Sequence, residues 1–268
     1  MYQIIPKGDV TMKIVVKVGT STLAHAGGLL NIRRVEVLCK VLSDLKNAGH
    51  DVILVTSGAI GMGAGKLKLG GKPTTIEGKQ AAAAVGQCEL MYTYDKLFSE
   101  YNHTVAQLLL TGDDFEHEDR YNNFINTIDQ LLKFQALPVI NENDTVATDE
   151  IKVGDNDTLS AMVAVSVKAD LLVLLSDIDG LFTADPHKDP DATLISVVSE
   201  VNDDIRALAG GEGSSLGTGG MRTKIRAAEI TTTHGCDIVI ANGVDPLILY
   251  DIVDGKSVGT RFLKKVGD

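Results

Sequence analysis

The amino-acid sequence predicts an α/β fold with an open, mainly parallel sheet sandwiched between helices. Short runs rich in β-branched residues and leucine recur along the chain. They are mostly continuous apolar runs rather than clean alternations, which is typical of parallel strands buried on both faces. Segments with helical periodicity lie between these runs. Strand and helix therefore alternate along the whole chain, as they do in doubly wound sheets.

The predicted elements follow one another in a regular order. Strands are predicted over residues 13–18, 51–56, 104–110, 137–141, 171–176 and 237–242. Helices are predicted over residues 31–48, 78–101, 118–135, 155–168 and 221–234. The first helix has the clearest pattern, because Gly49 stands at its expected end and one apolar stripe runs along it, formed by Ile32, Val35, Leu38, Leu42 and Leu45. Residues 203–220 are predicted to be a mobile loop near an active site.

Length and composition narrow the class of protein. The 268 residues are enough for a well-buried core in one ordinary domain or two small ones, and residues 1–11 are expected to form a loose arm. The formal net charge of −11 argues against binding to nucleic acid or anionic lipid. Three widely spaced cysteines argue against a disulfide framework and a zinc site. A cytoplasmic protein without membrane segments is expected.

Small and polar residues follow four of the predicted strands directly. They occupy residues 19–21, 57–63, 141–144 and 176–180. Because the carboxyl ends of parallel strands meet at one edge of the sheet, these segments are predicted to form a single ligand site.

Two glycine-rich turns, residues 57–65 and 217–220, each precede or open a helix. Such turns offer backbone N–H groups and a positive helix end to an anion, although each alone is also consistent with a plain connection. Neither Gly65-Lys66 nor Gly255-Lys256 fits the spacing of a P-loop. The dinucleotide fingerprint fails as well, since Lys66 stands where its third glycine belongs. Phosphate or carboxylate binding remains the favoured interpretation.

Charged residues stand at unusual places in these elements. Lys17 lies inside an apolar strand, so it either faces a cleft, pairs with a carboxylate or is a snorkelling edge residue. Lys224 lies in the first turn of a helix, where a cation opposes the helix dipole unless an anion binds there; the alternative is an ordinary solvated lysine. Asp155, Asn156 and Asp157 exceed what a single helix cap requires, which favours a ligand or charge-organising role. The histidines show no metal-binding spacing.

Six segments in register resemble the amino acid kinase family. They are KVGTS (17–21), VTSGAIGMG (55–63), PVINENDTV (138–146), VGDNDTLSA (153–161), LLSDIDGL (174–181) and GTGGMRTKIRAA (217–228). The resemblance runs from about Met12 to the C-terminus, which implies one domain over residues 12–268 without an additional C-terminal domain. It is closest to the branch of the family that phosphorylates glutamate.

The resemblance implies roles for individual residues. Lys17 and Lys224 would neutralise the transferred phosphoryl group, and Asp157 would hold these two lysines in place. The glutamate contacts would be Ser57, Gly58, Asp144 and Asn156. The nucleotide site would also include Gly19, Ser176, Asp177, Thr218, Gly219, Gly220, Met221, Arg222 and Thr223.

The same resemblance implies ATP-dependent phosphorylation of the side-chain carboxylate of L-glutamate, the first step of proline biosynthesis. ATP and Mg²⁺ would be required, with Mg²⁺ held by ATP oxygens and water. Inhibition by proline and a homo-oligomeric state are also expected. The alternatives are a sister kinase acting on N-acetylglutamate, aspartate, carbamate or UMP, and a non-catalytic sensor of glutamate or proline. An oxidoreductase is disfavoured by the broken fingerprint.

Overall fold

The computed structural model describes residues 11–25, 29–147, 156–186, 188–210 and 220–265. The strands in these ranges are β1 (Lys13–Val18), β2 (Asp51–Val55), β3 (Val105–Leu110), β4 (Leu137–Glu142), β5 (Leu171–Ser176), β6 (Val197–Val198), β7 (Asp237–Asn242) and β8 (Thr260–Phe262). The helices are α1 (Thr20–Leu23), α2 (Ile32–Asn47), α3 (Ala59–Lys66), α4 (Ile76–Ser99), α5 (Asp113–Glu116), α6 (Glu118–Lys133), α7 (Asn156–Ser166), α8 (Asp203–Leu208), α9 (Met221–Thr233) and α10 (Ile248–Val253).

The strands form one sheet in the order β3-β4-β2-β1-β5-β7-β8-β6. Neighbouring strands are parallel except β7 and β8, which are antiparallel. The predicted open, mainly parallel sheet is therefore confirmed. Because β1 pairs with β2 on one side and with β5 on the other, the chain order diverges at β1. A crevice at the carboxyl end of β1 is where such a sheet binds its ligands.

Two apolar layers cover the two faces of the sheet. Val15 packs on the face covered by α6, α7 and α9, whereas Ile14 and Val16 pack on the face covered by α2 and α4. Side chains alternate between the faces along a strand, so Lys17 shares its face with Val15. Its neighbours in the register, Val55 and Leu174, belong to the same layer. Lys17 is thus directed toward α7 and α9.

Several elements differ from the sequence-based expectation. The prediction of a loop over 203–220 is wrong for its first part, which forms the short helix α8. Asn202 caps this helix by accepting a hydrogen bond from the Ile205 N–H. Residues 211–219 of that segment lie outside the described residues. Ile32 does not join the buried stripe of α2, since it is 60% exposed in the first turn of the helix. No helix in the described ranges has the length and apolar character needed to cross a bilayer.

Helix α3 was not predicted because it contains three glycines, each of which lowers helix propensity by about 1 kcal/mol. Its tight packing against α4 explains its formation. A Cβ atom at Gly63 would lie 1.7 Å from the Ala82 carbonyl oxygen, and a Cβ atom at Gly86 would lie 1.8 Å from the Ala59 carbonyl oxygen. The two backbones are therefore in direct contact at this glycine crossing, which holds the first turn of α3 in place.

We expect Gly86→Ala to lower the free energy of unfolding by about 3 kcal/mol, because a methyl group cannot enter the contact without moving a backbone. Urea denaturation measures the change. Gly71→Ala is the matched control, since a Cβ atom there would meet nothing within 4 Å, and its stability should stay within about 0.5 kcal/mol of the unsubstituted protein. Equal stability of the two variants would show that the crossing is not closely packed.

Candidate functional site

Two lysines from distant parts of the chain converge on one carboxylate. The Lys17 ammonium donates to Asp157 Oδ1 at 2.5 Å, and the Lys224 ammonium donates to Asp157 Oδ2 at 3.0 Å. All three residues are buried, with exposed fractions of 8%, 5% and 2% for Lys17, Lys224 and Asp157. We call these residues the charge triad. It lies where the divergence of the strand order places the crevice.

Each member of the charge triad is positioned by a different element. Lys17 stands next to the end of the central strand β1, Asp157 lies in the first turn of α7, and Lys224 lies in the first turn of α9. Helices α7 and α9 pack against each other on the same face of the sheet. A lysine in a first helical turn is opposed by the helix dipole, and the Asp157 carboxylate offsets this repulsion.

The electrostatics of the triad leave an excess of positive charge. Burial by itself raises the pKa of Asp157, but the attraction of Lys17 and Lys224 and their hydrogen bonds outweigh it and lower the pKa below its ordinary value. Asp157 is therefore ionised at neutral pH. Two ammonium groups and one carboxylate give a net charge of about +1 in a buried place, which favours the binding of an anion.

Backbone and hydroxyl groups extend the site around the triad. The Thr223 hydroxyl lies 2.9 Å from both Asp157 Oδ2 and the Gly220 carbonyl oxygen. Gly220 precedes α9, and no described side chain caps this helix. Gly19 follows β1, where a Cβ atom would lie 3.8 Å from the Lys17 ammonium nitrogen. The start of α9 and the turn after β1 thus both approach the charge triad.

A second group of polar residues lies at the carboxyl ends of β2 and β4. The Asn156 amide nitrogen donates to the Thr56 carbonyl oxygen at 2.8 Å and to Ser57 Oγ at 2.7 Å. It also lies 3.1 Å from Asn141 Oδ1. Gly58, the residue after Ser57, has a φ of 102°, a left-handed conformation that suits glycine. It immediately precedes α3. Because Asn156 and Asp157 are adjacent, this polar group borders the triad.

The remaining described residues predicted for the site lie at the end of β5, in the turn after β4 and at the start of α9. Ser176 ends β5 and its hydroxyl donates to the carboxylate of the next residue, Asp177, at 3.1 Å. Asp144 lies in the turn after β4. Arg222 is exposed and lines a cavity of about 300 Å³ together with Arg206 and Arg226. Met221 is half-buried at the start of α9. Thr218, Gly219 and Asp155 lie outside the described residues.

Asn141 and Gln87 also belong to the polar group. Asn141 lies in the segment 141–144 that was predicted to line the ligand site, whereas Gln87 was not predicted. Asn141 Nδ2 donates to Gln87 Oε1 at 2.9 Å, and both side chains are buried. The position of Asn141 near the end of a buried strand is the signal that placed its segment in the predicted site. Gln87 lies within an alanine-rich helix and has no local signal. Within the described ranges, no three His, Cys, Asp or Glu side chains cluster as a metal site.

Comparison with known proteins places the chain in a family. The model of the amino acid kinase family matches residues 12–242. A glutamate 5-kinase of Clostridium perfringens is 51% identical over 260 residues, which cover 96% of this chain and 97% of that protein. A glutamate 5-kinase of Clostridium tetani is 56% identical over 249 residues, which cover 93% of each chain.

Solved structures support the fold independently. Carbamate kinase from Giardia lamblia bound to AMP-PNP superposes with a TM-score of 0.67 at 17% identity, covering 96% of this chain and 99% of that chain. UMP kinase from Bacillus anthracis superposes with a TM-score of 0.64 at 16% identity, covering 95% and 97% of the two chains. At such identities the likeness concerns the architecture alone.

We expect Asp157→Asn to lower the free energy of unfolding by about 3 kcal/mol at pH 7, because two buried ammonium groups would lose their shared counter-charge. The lowered pKa of Asp157 means that its stabilisation is present above the ordinary value of 3.8 and is lost as the pH falls through the folded-state pKa. The gap in the free energy of unfolding between the unsubstituted protein and the Asp157→Asn variant should therefore narrow below about pH 4.

Urea titrations at a series of pH values measure this gap. Asp129→Asn is the matched control, since Asp129 is exposed on α6 and should show a gap near zero at every pH. A gap for Asp157→Asn that stays constant between pH 7 and pH 3 would contradict the role of the charged carboxylate.

Proposed function

The chain belongs to the amino acid kinase family, and on this basis we propose that it catalyses ATP-dependent phosphorylation of the side-chain carboxylate of L-glutamate. The products are γ-glutamyl phosphate and ADP, and the reaction is the first step of proline biosynthesis. The observation that carries the proposal is the charge triad, in which Lys17 and Lys224 are held together by Asp157 at the carboxyl end of the central strand.

The triad suits the chemical difficulty of this reaction. The glutamate side chain has an ordinary pKa near 4.3, so its carboxylate is already a nucleophile at pH 7 and needs no general base. The obstacle is repulsion between an anionic carboxylate and an anionic γ-phosphate. A preorganised excess of positive charge in a buried site lowers this barrier by stabilising the charge of the transferred group.

In the proposed reaction a carboxylate oxygen of glutamate attacks the γ-phosphorus of ATP in line. The bond from this phosphorus to the bridging oxygen breaks, and the electron pair leaves with ADP. Lys17 and Lys224 contact the transferred phosphoryl group, and Asp157 orients both ammonium groups toward it. Since neither lysine gives up a proton, the protein acts by positioning and electrostatics.

The acceptor is proposed to lie against the polar group beside the triad. Ser57, Gly58, Asp144 and Asn156 are the proposed contacts of glutamate. The hydrogen bond of 2.7 Å between Asn156 and Ser57 supports this assignment, because it joins two of these residues directly beside Asp157. The identity of 51% and 56% to two glutamate 5-kinases favours glutamate over the acceptors of the sister kinases.

The nucleotide is proposed to lie on the other side of the triad, over the turn after β1 and the start of α9. Its proposed contacts are Lys17, Gly19, Ser176, Asp177, Thr218, Gly219, Gly220, Met221, Arg222, Thr223 and Lys224. Helix α9 directs its amino-terminal end, where anions bind favourably, toward the same place as Lys224. Thr218 and Gly219 enter this set through their resemblance to the family motif.

Mg²⁺ is proposed to accompany ATP and to neutralise part of the phosphate charge. The buried positive charge of the triad fits a phosphate chain in this place. Because no three candidate ligand side chains cluster in the part of the chain that the structure describes, phosphate oxygens and water would hold the ion.

We expect Lys224→Ala to lower kcat by at least about 100-fold, the scale of losing one preorganised donor of positive charge. The measurement is ADP release with glutamate and ATP. Lys133→Ala is the matched control, because Lys133 is exposed on α6, and its kcat should equal that of the unsubstituted protein. A Lys224→Ala variant with near-normal turnover would rule out the proposed role of the triad.

The acceptor is tested with a panel containing glutamate, aspartate, N-acetylglutamate, carbamate and UMP. We expect ADP release with glutamate and formation of a hydroxamate when hydroxylamine traps the acyl phosphate. ADP release with another member of the panel instead would identify a sister kinase. Binding of glutamate by calorimetry without any ADP release would identify a sensor.

Proline is proposed to inhibit by competing for the glutamate site. We expect proline to raise the KM for glutamate while leaving the KM for ATP and the limiting kcat unchanged. Initial rates at several proline concentrations measure this effect. Inhibition that persists at saturating glutamate would contradict competition for one site.

A further inference from the structure

Three amide side chains, two buried and one half-buried, form a continuous chain beside the charge triad. Gln87 of α4 accepts a hydrogen bond from Asn141 Nδ2 at 2.9 Å, and Asn141 Oδ1 lies 3.1 Å from Asn156 Nδ2. Gln87 is 8% exposed and Asn141 is 1% exposed. The last amide lies against Ser57. We call Gln87, Asn141 and Asn156 the amide relay.

The orientation of each amide in the relay is determined by the backbone. The Glu142 N–H donates to Asn141 Oδ1 at 2.9 Å, so the oxygen of Asn141 must face that group. The Thr56 carbonyl accepts from Asn156 Nδ2 at 2.8 Å, which fixes the second amide. Because Asn141 Nδ2 can only donate, Gln87 must present its oxygen to it. The relay therefore has a defined direction.

The two ends of the relay have opposite hydrogen-bonding character. Among the described residues, Gln87 Nε2 is a buried donor without an acceptor, and Asn156 Oδ1 is a buried acceptor without a donor. Buried polar atoms without partners are rare and costly, and each one calls for an explanation such as a catalytic role or a bound ion or water. The unused acceptor belongs to the amide whose nitrogen lies 2.7 Å from Ser57 Oγ, so it lies next to a proposed substrate contact.

The glycine crossing explains how Gln87 reaches the relay. Gly86 brings the backbone of α4 into contact with the Ala59 carbonyl in the first turn of α3. This turn follows Ser57 and Gly58 directly. Gln87, the next residue of α4, is thereby held within hydrogen-bonding distance of Asn141. On α4, the Gln80 side chain also contacts the Ala147 carbonyl oxygen at 3.4 Å, so the helix supports the turn after β4 as well.

We propose that Gln87 is a positioning residue that makes the enzyme selective for an amino acid over a simple dicarboxylate. It holds Asn141, which holds Asn156 with its oxygen turned toward the α-ammonium group of the acceptor. An ammonium group is a donor only, so it complements the one unused acceptor of the relay. A substrate without this group leaves the acceptor unpaired, which is penalised strongly in a buried site. This inference rests on the proposed glutamate kinase activity.

The test compares Gln87→Met and Gln87→Glu with glutamate and with glutarate, which lacks the α-amino group. Gln87→Met removes the acceptor that orients Asn141 at nearly constant volume. We expect the KM for glutamate to rise and the kcat/KM ratio of glutamate over glutarate to fall about tenfold, the scale of one hydrogen bond to a charged group. The KM for ATP should not change. Gln87→Glu retains an acceptor oxygen and should keep the ratio within about threefold of the unsubstituted protein.

Gln130→Met is the matched control, because Gln130 is exposed on α6, and its ratio should be unchanged. Thermal unfolding establishes that each variant is folded. If the Gln87→Met variant does not fold, Gln87→Leu is measured in its place. An unchanged ratio in Gln87→Met, or an equal rise in the KM of glutamate and of ATP, would overturn the inference. If the unsubstituted protein does not phosphorylate glutamate, the proposed function fails instead, so the two failures are distinguishable.

Discussion

The structure depends on placing two ammonium groups beside each other in a buried site. Lys17 and Lys224 are tolerated there because each donates to a different oxygen of Asp157, and this sharing keeps their separation short. A phosphate group bound here, as proposed above, would be a further counter-charge for the two lysines. The proposed binding of phosphate would then follow from how the core is built, with the strand and helix ends arranged around it.

The parallel sheet provides the geometry that this arrangement requires. Residues separated by 140 positions in the chain meet because β1 ends, and the helices α7 and α9 packed on one of its faces begin, at the same edge of the sheet. Beside the charge triad, the glycine crossing and the amide relay hold Ser57 and Asn156 in position. One set of contacts thus organises charge and the other organises hydrogen bonds, and Asn156 and Asp157 join them as neighbours in the chain.

The sequence predicts the fold well because the buried strands produce strong local signals, whereas the meeting of Lys17, Asp157 and Lys224 is implied only by the family resemblance. Continuous apolar runs mark the buried strands, and a lysine inside one of them or in a first helical turn is unfavourable without a partner. Other features depend on packing between distant segments. Helix α3 is rich in glycine and forms against α4, and Ile32 follows the helical period but faces solvent. Gln87 is ordinary in its own helix, and only the tertiary fold brings it to Asn141.

The contact between Gly63 and Gly86 has a consequence for how such an enzyme diverges. No side chain lies between the two helices at this point, so no substitution can widen or tighten the spacing by small steps. Evolution toward an acceptor of another length would have to change side chains at the strand ends, because the spacing between helices α3 and α4 is fixed. Laboratory redesign of acceptor choice is best started at those strand-end positions, with both glycines left untouched.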